Sequence, residues 1–353
     1  MAATKQQKQD LQSSTIDLIV YHDNCGDGIA SMMIAKRAFP RAKIVAVNYG
    51  STLDELAPRS NMLFVDMTPP RDRVADFVNA GAWVVDHHAK AKDIVDRFGL
   101  RGIFGDEKTE PGVSGAWLIA DALSLTDLEP IKIFARTVGV YDTWQTQAFE
   151  FEAARVVQEV LRHFPDARWE FRIAHANGRE FEILTEAELE FGRELVATKN
   201  AAVQKAVDNC VLFEVGYMPK PEDGSSVWLA MFNDGNAAIS MAAEALREGA
   251  KRTGAPAGLS EDDGADPKLF MVRADVACGF FYTQRANLPR MTFSLRSNGK
   301  IDVGAFCRSM GGGGHSRAAG FTVDGGPEPF SFLVGELRKW VDAERQLDLG
   351  LKG

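Results

Sequence analysis

The chain is poor in cysteine, carries no surplus of positive charge, and contains no long apolar run. Its four cysteines, Cys25, Cys210, Cys278 and Cys307, stand far apart with no C-x-x-C pair. A disulfide framework and a zinc knuckle are therefore not expected, and a reducing compartment is the default. Lys and Arg number 40 against 49 Asp and Glu, a formal net charge of −9. That balance argues against a protein that coats long nucleic acid by charge, since phosphate neutralisation takes clustered cations. It leaves room for a local basic groove that holds a small phosphorylated ligand. No apolar stretch approaches the roughly 20 residues that cross a bilayer. The opening MAATKQQKQDLQSS has no apolar segment of the kind a signal peptide needs. A cytoplasmic protein with no membrane partner is the expectation. Also missing are the Gly-Lys-Ser/Thr of a Walker loop and a dinucleotide fingerprint after the first strand, which disfavours P-loop nucleotide hydrolysis. No internal repeat is visible.

What is present suits a soluble protein with real cores: 45% of the 353 residues are hydrophobic and 25% charged, and that length predicts two globular units. From Ile16 the pattern alternates. IDLIVYH, KIVAVNY, NMLFVDM and AWVVDHH read as near-continuous apolar strands, with IASMMIAKRAF and PRDRVADFVNAG as helices between them. Strand and helix in alternation predict an α/β fold with a parallel sheet covered on both faces. Residues 112–208 read as mostly helical, with one long helix in EILTEAELEFGRELVATKNAAVQKAV. Beyond it, VLFEV, VWLAMF, LFMVRAD, CGFFYT and MTFSLRS read as strands, and AAISMAAEALREGAK and VGAFCRSM as helices. MPKPEDGSS and RTGAPAGLSEDDGADPK read as exposed loops. The turn Asn233–Asn236 opens a helix whose N-terminus could hold an anion or simply be capped.

Ligands of such sheets bind at the carboxyl ends of the strands, and the residues there share one chemistry. The turn after the first strand offers His22, Asp23 and Asp27. FVDMTPP offers Asp66, VVDHHAK offers Asp86, His87 and His88, and GVYDTW offers Asp142 after a helical stretch. Imidazole and carboxylate together suit Mn, Fe or Zn, whereas Mg alone rarely needs histidine. Carboxylates gathered at one edge repel one another unless cations neutralise them, and a pair of divalent ions can clamp a phosphoryl group for in-line displacement. Taken singly, each Asp has a bland reading as a cap or turn former; for Asp23 in particular, capping is the ordinary role. Taken together, four acidic motifs and three histidines point to a metal centre.

The triplet Asp86-His87-His88 after an apolar strand, preceded by HDNCGDG and FVDMTPP and followed by YDTW, resembles the N-terminal motifs of the DHH (Asp-His-His) phosphoesterases. SLRSNGKIDVGAFCRSMGGGGHSRAAGF resembles the hallmark of the DHH-associated C-terminal domain. The family includes RecJ-like exonucleases, nano-RNases and cyclic-dinucleotide phosphodiesterases, and the match covers roughly residues 16–145 and 209–325 in the expected order. It implies a DHH catalytic domain over 15–148, a helical connector over 149–208, and a smaller α/β DHH-associated domain over 209–345 that binds substrate. It also implies that His22 and Asp66 hold one manganese and that Asp27, Asp66, His87 and Asp142 hold the other, with Asp66 as bridge. His88 would orient water or stabilise phosphate charge beside the metals, and Asp86 would position the turn or a ligand histidine. The chain departs from the family in one place: many members carry Asp-x-Asp in the first motif, where this one has Cys25-Gly26-Asp27, as in a subgroup with His-x-x-Cys-x-Asp-Gly. The first site could then be weaker, recruit Asp23, or use Cys25 as a thiolate.

The glycine run suggests a second element of the site. Consecutive glycines at Gly312, Gly313 and Gly314 let backbone N–H groups come close to an anion. His315 can donate to a phosphate oxygen, Arg296 and Asn298 can grip one, and Arg317 adds charge. The expected activity is hydrolysis of phosphodiester bonds in short oligonucleotides or linear dinucleotides, in the cleft between two domains, with one or two Mn2+ ions (Mg2+ or another divalent ion as substitute). The competing readings are a phosphatase for polyphosphate or nucleotide monophosphates and a catalytically silent binding protein. A homodimer is a further expectation from the family.

Overall fold

A computed structural model describes residues 3–23, 25–47, 56–106, 113–164, 168–169, 183–218, 225–233, 241–242, 245–246, 249–251, 271–285, 288–314 and 316–348. His315, most of both expected loops and the turn after Asn233 lie outside the described residues, as does most of the helix expected over 237–251. The chain divides into two compact units, Met1–Val196 and Ala197–Gly353.

In the first unit, helix α1 (Lys5–Ser13) precedes strand β1 (Leu18–His22), helix α2 (Gly26–Ala38) and strand β2 (Lys43–Val47). Then follow β3 (Met62–Val65), α3 (Val74–Ala80), β4 (Trp83–Asp86), α4 (Lys92–Asp96) and β5 (Gly102–Phe104). The helices α5 (Gly115–Ala122), α6 (Glu129–Asp142) and α7 (Phe151–His163) come next. Helix α8 (Glu186–Asn209) contains the division between the units. The five strands form one sheet in the order β2-β1-β3-β4-β5, every pairing parallel.

Alternation along the strands builds a core on each face of that sheet. Ile19, Tyr21, Leu63, Val65, Trp83 and Val85 join α2, α5 and α6 on one side. Leu18, Val20, Met62, Phe64 and Val84 join Phe77, Ile94 and Val95 on the other. Period-two alternation of side chains sends successive apolar residues to opposite faces, so strands buried on both faces must be apolar at every position. Burying each such side chain contributes about 1.5–3 kcal/mol. The first core also takes in Val157, Val160 and Leu161 of α7 and, beyond it, Ile183 and Leu184, within the stretch expected as a connector.

The strand order places the site. From β1 the chain passes to β2 on one side, and β3 then lies against the other side of β1. The order therefore reverses between β1 and β3, and open α/β sheets hold ligands at the carboxyl ends of the strands at such a point. His22 ends β1 and Asp86 ends β4, while Asp66 directly follows β3.

The second unit is a mixed sheet with helices. Strands β6 (Val211–Met218), β7 (Ser225–Asn233), β10 (Val276–Arg285) and β11 (Leu288–Ser297) are followed by helix α9 (Val303–Ser309). Strands β12 (Gly313–Gly314) and β13 (Ala318–Asp324) and helix α10 (Pro329–Asp348) close the chain. The sheet runs β12-β13-β11-β10-β7-β6, antiparallel except for β7 and β10. Strands β8 (Ala250–Lys251) and β9 (Met271–Val272) form a separate small pair. Among the described residues no helix is long and apolar enough to cross a membrane. Helix α10 was not anticipated from the sequence, although its Leu333, Leu337 and Val341 are fully buried against the sheet at the spacing of one helical face.

Candidate metal centre

The first motif spans the end of β1 at His22 and the start of α2 at Gly26. Cys25 caps that helix with extended backbone, and Asp27 falls in its first turn, where the positive end of the helix favours a carboxylate. Gly28 is required by contact: a Cβ there would lie 2.0 Å from the carbonyl oxygen of His22. The side chain of Asp27 is then held from across the site. The backbone N–H groups of Gly115 and Ala116, at the start of α5, donate to Asp27 Oδ2 and Oδ1 at 2.6 and 2.9 Å. Gly115 permits that approach, since a Cβ on it would stand 2.8 Å from Asp66 Cβ, 2.9 Å from Ser31 Oγ and 3.0 Å from Asp27 Oδ2. Sequence reasoning missed Gly115 and Ser31. The available signals were a Ser-Gly pair opening an apolar helix and a serine four residues after Asp27, on the same helical face.

Asp66 adopts a left-handed backbone, φ 57°, while its N–H still pairs with Val85 O. Such a conformation is uncommon outside glycine but tolerated by Asp, and it gathers at functional sites. The side chain is almost fully buried, and neither carboxylate oxygen meets a hydrogen-bond donor among the described residues. His87 is buried too. Its Nε2 lies 3.2 Å from Asp66 Oδ1, 3.3 Å from Asp142 Oδ2 and 3.5 Å from Asp27 Oδ2, so one imidazole nitrogen faces three carboxylates. Asp142 is the last residue of α6, the negative end of the helix dipole, where a carboxylate is disfavoured unless positive charge compensates it. His22 Nδ1 stands 3.7 Å from Asp66 Oδ2.

Asp86 has a different duty. Its Oδ1 accepts from the backbone N–H groups of His87 and His88 at 2.7 and 3.1 Å and meets His88 Nδ1 at 2.7 Å. It thereby shapes the turn and fixes the His88 ring, whose side chain is 38% exposed.

The electrostatics follow from crowding. Burial, then the carboxylates of Asp66 and Asp142, push Asp27 well above the usual carboxylate range. Burial alone would raise Asp66 as well, but the imidazoles of His22 and His87 and the charge of His88 hold it well below that range. Burial lowers His87, yet its contact with Asp66 and the charges of Asp27 and Asp142 outweigh this and raise it to about 10. His88 is likewise lowered by burial and raised by Asp86 and Asp66, to about 9. Burial, with Asp66, Asp142 and Asp27, lifts the Cys25 thiol.

The residues present fit divalent cations. Carboxylate and imidazole donors converge, Asp66 offers two buried oxygens without hydrogen-bond donors among the described residues, and Asp142 sits where only positive charge would favour it. Three groups of possible ligand atoms lie within 4.8 Å of one another: Asp27, His87 and Asp142; His22, Cys25 and Asp66; and Asp66, Asp86, His87 and His88. Asp23 is in none of them.

The residues expected to bind substrate sit in the second unit, and Arg296, Gly312, Gly313 and Gly314 collect at one end of its sheet. Arg296 pairs with Ala318, and Gly314 with Ala319. Arg296 is largely buried and turns back on its own strand, with Nη1 donating to Ser294 Oγ and Leu295 O at 3.2 and 2.9 Å; burial lowers its pKa. The Asn298 side-chain amide donates to Asp275 Oδ1, and its oxygen accepts from Lys300 N, so it holds a turn. The glycine run first ends a helix. Gly311, φ 79°, and Gly312 donate to Arg308 O and Cys307 O, which is the Schellman arrangement. Gly312 and Gly314 then pass so close to β13 that a Cβ on either would lie within 2.5 Å of it, while Gly313 has nothing within 4 Å.

No family model and no curated protein matches the chain. Solved structures do. The pGpG-specific phosphodiesterase PggH from Vibrio cholerae aligns over 93% of this chain and 99% of that one, at 13% identity and a TM-score of 0.52. RecJ in complex with Mn2+ from Thermus thermophilus aligns over 96% of this chain and 55% of that one, at 14% and 0.48. An exopolyphosphatase-related protein from Bacteroides fragilis aligns over 96% and 98%, at 12% and 0.44. Of these three likenesses the first passes 0.5, and it shows a shared fold.

Proposed function

We propose that the chain is a divalent-metal-dependent phosphoesterase that hydrolyses phosphodiester bonds of short oligonucleotides or linear dinucleotides, with Mn2+ as its working ion. One observation carries this reading: His87 Nε2 lies within 3.5 Å of carboxylate oxygens of Asp27, Asp66 and Asp142, at the switch point of a parallel sheet. Asp27, Asp66, His87 and Asp142 would hold one ion, and His22 with Asp66 the other. When bound, such ions lower the pKa of water and neutralise phosphoryl charge.

The chain's own residues do the rest. Asp86 accepts from His88 Nδ1 and leaves Nε2 as the ring's working donor. In the metal-free protein Asp86 and Asp66 raise the His88 pKa to about 9, and in this reading the ring would donate to a non-bridging phosphate oxygen as negative charge grows there. Gly115 and Ala116 fix the Asp27 carboxylate, so that little reorganisation is needed when substrate binds. The second unit would grip the substrate's terminal phosphate or nucleotide through the glycine run. A solved chain with this fold is described as a phosphodiesterase, which is in keeping with the reading.

The test is metal content of the purified protein together with product analysis of a labelled dinucleotide. Release of mononucleotide that requires Mn2+ supports the proposal. Release of inorganic phosphate alone from monophosphates or polyphosphate would replace it with a phosphatase. A protein that binds no metal and cuts nothing would be a binding protein.

A further inference from the structure

The two cation sites assigned above, on whose existence this inference rests, draw on unlike donors. One site gathers the carboxylates of Asp27 and Asp142 around the His87 imidazole, with Asp66 Oδ1 3.2 Å from that ring. The other gathers an imidazole, a thiol and a carboxylate, from His22, Cys25 and Asp66, with donor atoms within 4.8 Å of one another. Cys25 occupies the N-cap of the 13-residue helix α2, yet its side chain makes no capping hydrogen bond. Ser, Thr, Asp and Asn are preferred at that position because their oxygen does so. The sulfur lies instead within 4.8 Å of the possible ligand atoms of His22 and Asp66. Independently, Asp66 is 1% exposed, lies 3.7 Å from His22 Nδ1 through Oδ2, and among the described residues has no hydrogen-bond donor on either oxygen. A buried carboxylate without donors points into the space that the thiol and imidazole share.

Thiolate and imidazole select ions of the Zn2+ and Co2+ class, whereas oxygen-rich sites suit Mn2+ and Mg2+. We propose that this chain holds an unlike metal pair: a Zn2+-class ion at His22, Cys25 and Asp66 with Cys25 as a thiolate ligand, and a Mn2+-class ion at Asp27, Asp66, His87 and Asp142. On coordination the Cys25 Sγ–H proton passes to solvent and a sulfur–metal bond forms, with no change of oxidation state. Asp66 would serve both sites, since its Oδ2 lies toward His22 and its Oδ1 toward His87.

Co2+ is the probe, because a thiolate ligand gives it a near-ultraviolet charge-transfer band that oxygen and nitrogen ligands do not. Full-length protein is stripped with chelator, supplied with one equivalent of Mn2+, and titrated with Co2+. The expected result is a band that saturates at one Co2+ per chain. Cys25→Ser should abolish the band and weaken cobalt binding at least about tenfold while one Mn2+ per chain remains bound. Cys25→Asp should bind two ions without the band and prefer Mn2+ at both sites, and it decides the matter if Cys25→Ser does not fold. Two bound ions with no band in the natural protein, or a band that survives either substitution, would overturn the unlike pair while leaving the phosphoesterase reading intact. A protein that binds no divalent ion at all would sink both.

Discussion

The Asp-His cluster of the first unit and the glycine run of the second were equally conspicuous in the sequence, and the structure uses them in opposite ways. The cluster is overcommitted electrostatically: three carboxylates crowd one imidazole, two of them fully buried, and the fold alone gives no return for that crowding. The glycine run is largely accounted for by the fold. Gly311 and Gly312 end α9, Gly312 and Gly314 fit against β13, and Asn298 ties a turn. The difference separates a feature the backbone explains from one that it does not; the second kind points to a ligand.

The comparison breaks most readily at Asp66. Asp66→Asn removes the carboxylate that faces both cation sites, and several kcal/mol of charge stabilisation should be lost, about a thousandfold in kcat. Elemental analysis should show fewer than two ions per chain. Normal turnover in that variant would mean that the cluster is structural after all. Asp86→Asn should lower kcat by about 10- to 100-fold with the metals retained. With its main raising partner gone, His88 should lose its proton at lower pH, so the alkaline limb of the pH–rate profile should move down. An unmoved limb would remove His88 from the donor role.

Gly115→Ala tests whether the N-terminus of α5 belongs to the site. The added methyl must displace Asp66, Ser31 or Asp27, at a cost of about 1–3 kcal/mol by denaturant unfolding, and Mn2+ affinity should fall with it. Unchanged affinity would show that the site tolerates the shift.

The pH dependence of the metal-free protein tests the crowding directly. His87 and His88 titrate from an ordinary 6.5 up to about 10 and about 9. A histidine raised on folding contributes stability that is fully present below its unfolded pKa and lost as pH climbs through the folded one. The melting temperature of chelated protein should therefore fall as pH rises from about 6.5 to 10. Added Mn2+, which takes the place of those protons, should flatten the fall.

The smallest effects belong to the second unit and sharpen the contrast. Gly311→Ala places a side chain at positive φ and should cost about 1 kcal/mol. Gly313→Ala meets open space and should change stability by less than about 0.5 kcal/mol. Loss of dinucleotide turnover in Gly313→Ala with stability intact would show that this one glycine serves substrate rather than fold.

Much of this was readable in advance, for identifiable reasons. Strands β1, β3 and β4 were visible because burial on both faces demands uninterrupted apolar residues, and the polar residue that ends each run is the one at the candidate site. Asp142 was visible from the motif alone, since nothing in the local pattern of α6 distinguishes it from a solvated helix end. Gly115 stayed hidden because its importance lies in distances to Asp27, Ser31 and Asp66 across the fold, whereas Ser31 carried only the weak local signal of its spacing from Asp27. Arg296 and Asn298 looked like free donors, whereas neighbouring backbone and Asp275 already engage them, and a linear sequence does not reveal such partners.

The sequence by itself determined the alternation of strand and helix, and so a parallel sheet with polar residues at its carboxyl edge, because side-chain period and apolar content act locally. Only the tertiary structure decided that β3 lies beside β1 on the side away from β2. That reversal helps bring His22, Asp27, Asp66, His87 and Asp142 within reach of shared positive charge. Coulomb energy depends on separation in space, and separation in space is what folding sets.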